Sequence, residues 1–105
     1  MNIHSLVILA AGLLLSGNAL AEDGAALAKT HNCMMCHAVS ANSTGPAFKN
    51  IAAKYKADKD VQAKLEMKVR SGGAGSWGKM PMPVTAKSVS DGDIKLMVQW
   101  ILSLK

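Results

Sequence analysis

Cysteine occurs twice in the 105-residue chain, as Cys33 and Cys36, and His37 follows the second directly. The stretch Cys33-Met34-Met35-Cys36-His37 therefore brings two thiols and an imidazole together. On a helical turn, residues three and four apart share a face, so the two thiols point one way and the imidazole stays beside them. Two thiols so spaced can add to the two vinyl groups of one haem, and the adjacent imidazole is then held against the iron. The reading is one covalently bound haem c, anchored by Cys33 and Cys36, with His37 as its proximal ligand. Three other chemistries use the same residues. Thiol–disulfide exchange needs a thiol of lowered pKa at a helix start in a βαβ setting, and no alternating strand pattern precedes Cys33. Structural zinc needs a second ligand pair at zinc-site spacing, and none is present. A plain disulfide is the alternative in an oxidising compartment.

A haem iron has a second axial position, which Met, His or Lys can fill. Ser71 to Val89 is rich in Gly and Pro and shows neither helical nor strand periodicity. A loop of that length in a small domain is usually functional. It contains Trp77-Gly78-Lys79-Met80-Pro81-Met82-Pro83. A thioether is a soft, neutral ligand that favours ferrous iron, and prolines on both sides of Met82 stiffen the strap that would present it. Met80 and Met82 are both candidates. The ordinary alternative for a methionine is to fill gaps in a core, and that suits Met67 and Met97 at helical positions. The loop holds no histidine for distal acid–base work, which with the Met-Pro strap argues against an open iron and a peroxide- or gas-reacting enzyme. His31, two residues before Cys33, reads as a surface helix residue.

The elements that must position these groups are helical. Asp23 can cap a helix through Ala25, Ala26, Leu27 and Ala28 towards the motif. Its alanine-rich side suits close packing on another helix. Ala38 to Pro46 is a loop of Ser, Asn and Thr ending in Gly45-Pro46. Phe48, Ile51, Ala52 and Tyr55 fall at i, i+3, i+4 and i+7, a short amphipathic helix. Asp60 can cap a third helix with Val61, Leu65 and Val69 on one face, ended by Gly72-Gly73. Ser90 caps the last, with Asp93 completing an approximate capping box. There Ile94, Val98, Ile101 and Leu102 form an apolar stripe that Met97, Trp100 and Leu104 widen. This helix is expected to cross the first. No stretch alternates well enough to be a strand.

Leu6 to Leu15 is an apolar run followed by Ala19-Leu20-Ala21. An apolar core before a small-x-small site is a secretory signal peptide, and the run is too short for a membrane span of roughly twenty residues. Residues 1–21 are thus read as the signal and 22–105 as one domain, with cleavage after Ala21. The formal net charge is +5, and the export segment carries none of the Lys, Arg, Asp or Glu. A basic surface can steer a protein to an acidic partner. No nucleic-acid motif is present, and export argues against that role.

Together these features resemble the short bacterial class I monohaem cytochromes c of the cytochrome c-551 kind. The resemblance covers residues 22–105 and rests on Cys33-Met34-Met35-Cys36-His37, Gly45-Pro46-Ala47-Phe48, Trp77-Gly78 leading to Pro81-Met82-Pro83, and Gln99-Trp100-Ile101-Leu102-Ser103. It implies an all-α fold of about four helices around the haem. It also implies a monomeric periplasmic electron carrier, not an enzyme, that meets donor and acceptor proteins weakly and electrostatically. The distal ligand falls on Met82, with Met80 the runner-up. The Pro46 carbonyl would accept a hydrogen bond from the proximal imidazole, and Trp77 would donate its indole N–H to a haem propionate. Lys68 stands where the family often has a basic residue near a propionate, beside the plainer reading of a solvated helix lysine. One departure is Thr85, at a place where the family commonly has an Asn able to orient the methionine sulfur.

Overall fold

The computed structural model describes residues 16–105, with side chains from Asp23 onward. The apolar run of the expected signal segment lies outside the described residues. Four helices follow in order: α1 (Ser16–Thr30), α2 (Phe48–Lys54), α3 (Val61–Ser71) and α4 (Asp91–Ser103), with a short 3₁₀ turn at Cys33–Met35 between α1 and α2. The all-α expectation holds. The only sheet-like pairing among the described residues is one antiparallel bridge, Gly73 to Met82.

Helix α4 is the central element and packs against α1, α2 and α3. Its buried face is Ile94, Met97, Val98 and Ile101, an i, i+3, i+4, i+7 set. Met97 stands at the centre of that face, 2% exposed, and Leu102 lies at its edge. Met97 thus fills the core as expected, whereas Met67 is 70% exposed and does not. Ala28 of α1 is fully buried against α4. At Gly24 the two helices approach so closely that a Cβ would run into Trp100 Cβ and the Leu96 carbonyl oxygen. Phe48, Ile51 and Ile101 form a second cluster joining α2 to α4.

Several helix ends differ from expectation. Asp23 does not cap α1, because the helix begins before it, at Ser16. Nor does α1 run into the motif. Asn32 takes a left-handed conformation, φ 65°, which Asn tolerates better than most residues, and the chain restarts as the 3₁₀ turn. Asp60 occupies the N-cap of α3 without a side-chain bond, and Asp58 Oδ1 instead accepts the Asp60 N–H at 2.9 Å. Ser90 Oγ does accept the Asp93 N–H at 3.1 Å. The Asp93 carboxylate leaves the box and meets His31 Nε2 at 3.1 Å. His31 is therefore a partly buried link between the α1 end and α4 rather than a free surface residue.

Candidate functional site

The 3₁₀ turn delivers the motif. Both the Cys36 N–H (3.2 Å) and the His37 N–H (3.0 Å) bond to the Cys33 carbonyl, which folds the two thiols and the imidazole around one turn. Both cysteines are free and partly buried. Cys33 Sγ sits 4.0 Å from Met97 Sδ, and burial pushes the Cys33 thiol pKa up, against a backbone hydrogen bond that lowers it. A thiol held protonated is the opposite of the lowered-pKa thiol that disulfide exchange requires. Among the described residues, no three His, Cys, Asp or Glu side chains gather to hold a metal ion, so the zinc reading has no site.

The loop after the motif folds back to fix His37. The Gly45 N–H bonds to the Cys36 carbonyl at 2.7 Å, and the Phe48 N–H to the Ala38 carbonyl at 2.9 Å. Asn42 Oδ1 accepts from the Ala47 N–H and from Asn50 Nδ2, tying the loop to the start of α2. His37 Nδ1 then lies 2.7 Å from the Pro46 carbonyl oxygen. A carbonyl only accepts, so Nδ1 carries the proton and Nε2 is left with its lone pair. The ring stacks on Phe48, centroids 4.8 Å apart and planes at 18°, and Phe48 meets Trp100 edge-on at 5.4 Å. Gly45 packs so tightly on the imidazole that a Cβ there would lie 2.6 Å from Cε1.

The long segment between α3 and α4 is a strap tied at its base and middle. Gly72, φ 67°, turns the chain out of α3 where a Cβ would strike the Met82 and Pro83 main chain. Gly73 and Met82 exchange two main-chain hydrogen bonds, at 3.0 and 2.8 Å. Thr85 Oγ1 donates to the Val69 carbonyl at 2.6 Å. Its hydroxyl hydrogen is therefore spent holding the strap to α3 rather than orienting a sulfur. Arg70 reaches the carbonyls of Ala86 (2.9 Å) and Val89 (2.6 Å) and the Asp91 carboxylate (2.7 Å).

These parts line one apolar cleft that opens to solvent. Cys33, Cys36, His37, Pro46, Trp77, Met80 and Met82 all line it. The two methionines differ. Met82 is half-buried and anchored through its main chain, whereas Met80 is 67% exposed and makes no main-chain hydrogen bond among the described residues. Trp77 is 44% exposed, and Lys68 is half-buried and also lines the cleft. Sequence reasoning missed the positioning roles of Asn42, Arg70 and Gly45, although Gly45 was quoted within the Gly45-Pro46 motif. Of these only Gly45 left a signal, standing next to Pro46 at the end of the loop. The donor chemistry fits a haem: two thiols on one turn, an imidazole with a free Nε2, thioethers on the strap, and otherwise largely apolar walls.

Residues 21–105 match the family model described as cytochrome c. The chain is 40% identical over 100 residues to cytochrome c-551 of Pseudomonas aeruginosa, covering 95% of this chain and 94% of that protein. It is 46% identical over 96 residues to cytochrome c-552 of Nitrosomonas europaea, covering 91% and 90%. The crystal structure of wild-type Nitrosomonas europaea cytochrome c552 superposes with a TM-score of 0.73 at 47% identity, covering 77% of this chain and 99% of that one. The chain thus belongs to the cytochrome c family, as a small c-type electron-transfer cytochrome with one covalently attached haem c.

Proposed function

We propose that this chain is an exported, periplasmic electron shuttle in which Cys33 and Cys36 anchor the haem and His37 and Met82 are its axial ligands. The observation that carries the reading is that all four residues line one cleft, with His37 Nδ1 already tied to Pro46. Bound haem supplies a one-electron Fe(III)/Fe(II) couple. The chain's own residues set its conditions. The Pro46 carbonyl holds the imidazole tautomer and raises its basicity. The thioether of Met82, on a strap fixed by the Gly73 bridge, favours the reduced state. Trp77 would donate its indole N–H to a haem propionate, and Lys68, which lines the same cleft, stands where a basic residue near a propionate would be. The lysine-rich surface steers donor and acceptor proteins, and such contacts are weak and salt-sensitive so that release is quick. The carrier works as a monomer, binds no nucleic acid, and after cleavage has no stable membrane association.

Export rests on the apolar N-terminal run and on the family match starting at residue 21. Among the described residues, no helix is long and apolar enough to cross a membrane. Cleavage after Ala21 would leave Asp23 in the first turn of a shortened α1, where a carboxylate is favourable. An intact mass that retains Met1 would refute it.

The ligand test is the optical spectrum of the purified holoprotein, wild type and Met82→Ala, in both redox states. Loss in the variant of the weak far-red ferric band of methionine ligation supports Met82. A retained band moves the ligand to Met80. Absence of the band in wild type means an open or differently ligated iron, and the enzyme reading then returns.

A further inference from the structure

The tip of the strap, residues 74–81, stands off the body of the molecule. Gly75 and Gly78 have φ of 111° and 114°, and a Cβ on either would meet nothing within 4 Å. Inside the tip, only the Gly75 N–H to Gly78 carbonyl bond at 2.9 Å closes the turn. Among the described residues, one side-chain hydrogen bond ties this tip to the rest, and it comes from Lys54 at the end of α2. Its Nζ donates to the Ser76 carbonyl at 3.1 Å and lies 4.4 Å from the Trp77 ring centroid and 5.4 Å from that of Tyr55. Tyr55 and Trp77 line the cleft, and Lys54 does not. The cation therefore grips two wall residues without entering the cleft.

We propose that Lys54 is a latch, a positioning residue that keeps the strap closed on the cleft and so holds Met82 in place. The inference rests on Met82 being the distal ligand. An ammonium over an indole face is attracted by the ring quadrupole, and a charged donor strengthens its bond to the carbonyl. Both contacts are lost if the tip lifts, so Lys54 biases a closed–open equilibrium toward closed. The latch acts from a firm base, because α2 also carries Phe48 and Ile51 into the core and stacks Phe48 on His37. An added ligand reaches the iron only when Met82 leaves it. Binding of imidazole to the ferric holoprotein therefore reads the open population.

The experiment is imidazole titration and stopped-flow binding on ferric wild type, Lys54→Met and Lys54→Arg, with the far-red band recorded before imidazole is added. Lys54→Met keeps the band but binds imidazole roughly two- to fivefold more tightly, the size an exposed cation–π contact supports. Lys54→Arg, which keeps the charge and donors, returns binding towards wild type. A wild-type band together with unchanged imidazole binding in Lys54→Met overturns the latch alone, as does Lys54→Arg behaving like Lys54→Met. A wild type without the band removes Met82 as ligand and overturns both readings.

Discussion

Replacing Gly45 by alanine tests the proximal side of the cleft. The new Cβ would lie 2.6 Å from Cε1, 2.9 Å from Nδ1 and 3.0 Å from Nε2 of His37, whereas ordinary contact begins at 3.4 Å. The ring cannot simply retreat, because it is stacked on Phe48 and Nδ1 is held at 2.7 Å by the Pro46 carbonyl. Relief requires the imidazole or the Gly45-Pro46 main chain to move by several tenths of an ångström, which lengthens that hydrogen bond. Overpacking costs about 1–3 kcal/mol, and the weakened bond adds up to about 1 kcal/mol. The expected loss is about 1–4 kcal/mol, or a fall in Tm of roughly 4–32 °C at about 4–8 °C per kcal/mol for a domain of this size. Guanidinium unfolding of the ferric holoprotein, followed by far-UV circular dichroism, should show a lower midpoint at an unchanged slope. The reduction potential should also rise, since a weaker Nδ1–H bond makes the imidazole a poorer donor to the iron. Wild-type stability in Gly45→Ala would refute the packing argument. Lost stability at an unchanged potential would keep the packing and refute His37 as the ligand that Pro46 tunes.

The remaining predictions use neighbouring features. Gly92→Ala, where the new Cβ meets only Ser90 Oγ at 3.8 Å, should leave thermal stability unchanged or raise it by up to about 1 kcal/mol through helix propensity. Arg70→Met should cost about 1–3 kcal/mol in thermal unfolding, because two carbonyls lose a charged donor. Asp91→Asn should change stability by less than about 0.5 kcal/mol, since its carboxylate is 95% exposed; equal losses would show that the ion pair, not the carbonyl bonds, matters. The Asp60 N–H and then Lys64 hold the Asp58 carboxyl below the usual carboxylate range. A lowered folded-state pKa stabilises above the unfolded value of about 3.9 and is lost as pH falls through the folded one. The stability gap between wild type and Asp58→Ala should therefore be full near neutral pH and shrink in acid, and a gap that widens on acidification would contradict the sign.

What was legible in the sequence was what depends on near neighbours. Phe48, Ile51 and Ala52 share a helix face because a helix repeats every 3.6 residues, and Ser90 caps α4 because its hydroxyl needs only the N–H three residues on. The haem motif is similarly local. Features set by distant partners were not legible. Gly24 and Gly45 look like any other glycine until α4 and the imidazole arrive beside them. Met67 and Met97 both occupy helical positions, and only the placement of α4 at the centre decides that one is buried and the other exposed. The His31–Asp93 link joins residues far apart in the chain, and it takes the carboxylate that the capping box would have used. Thr85 looked like a missing sulfur-orienting residue, but its hydroxyl serves the strap through Val69.

The two sides of the cleft are held by interactions of different range, and this decides how the protein can fail. His37 is fixed by Gly45 and Pro46 of the loop that follows it and by Phe48 at the start of α2, all within eleven residues of it, so closing that side costs little chain entropy. The strap is held by Thr85 to Val69, by Gly73 to Met82, and at its tip by the exposed Lys54. Between Gly73 and Met82 the strap carries Gly75 and Gly78, where a Cβ would meet nothing within 4 Å. Under the proposed attachment, thioether bonds from Cys33 and Cys36 would keep the haem in place whichever side opens. The lowest-energy departure from the closed state is then lifting of the strap, with the imidazole still in place. An electron carrier built this way keeps one ligand rigid to limit reorganisation. Under the proposed ligation the adjustable element is the strap that carries Met82, and changes at Thr85 or Lys54, which tie it down, should shift how often it opens without touching Cys33 or Cys36.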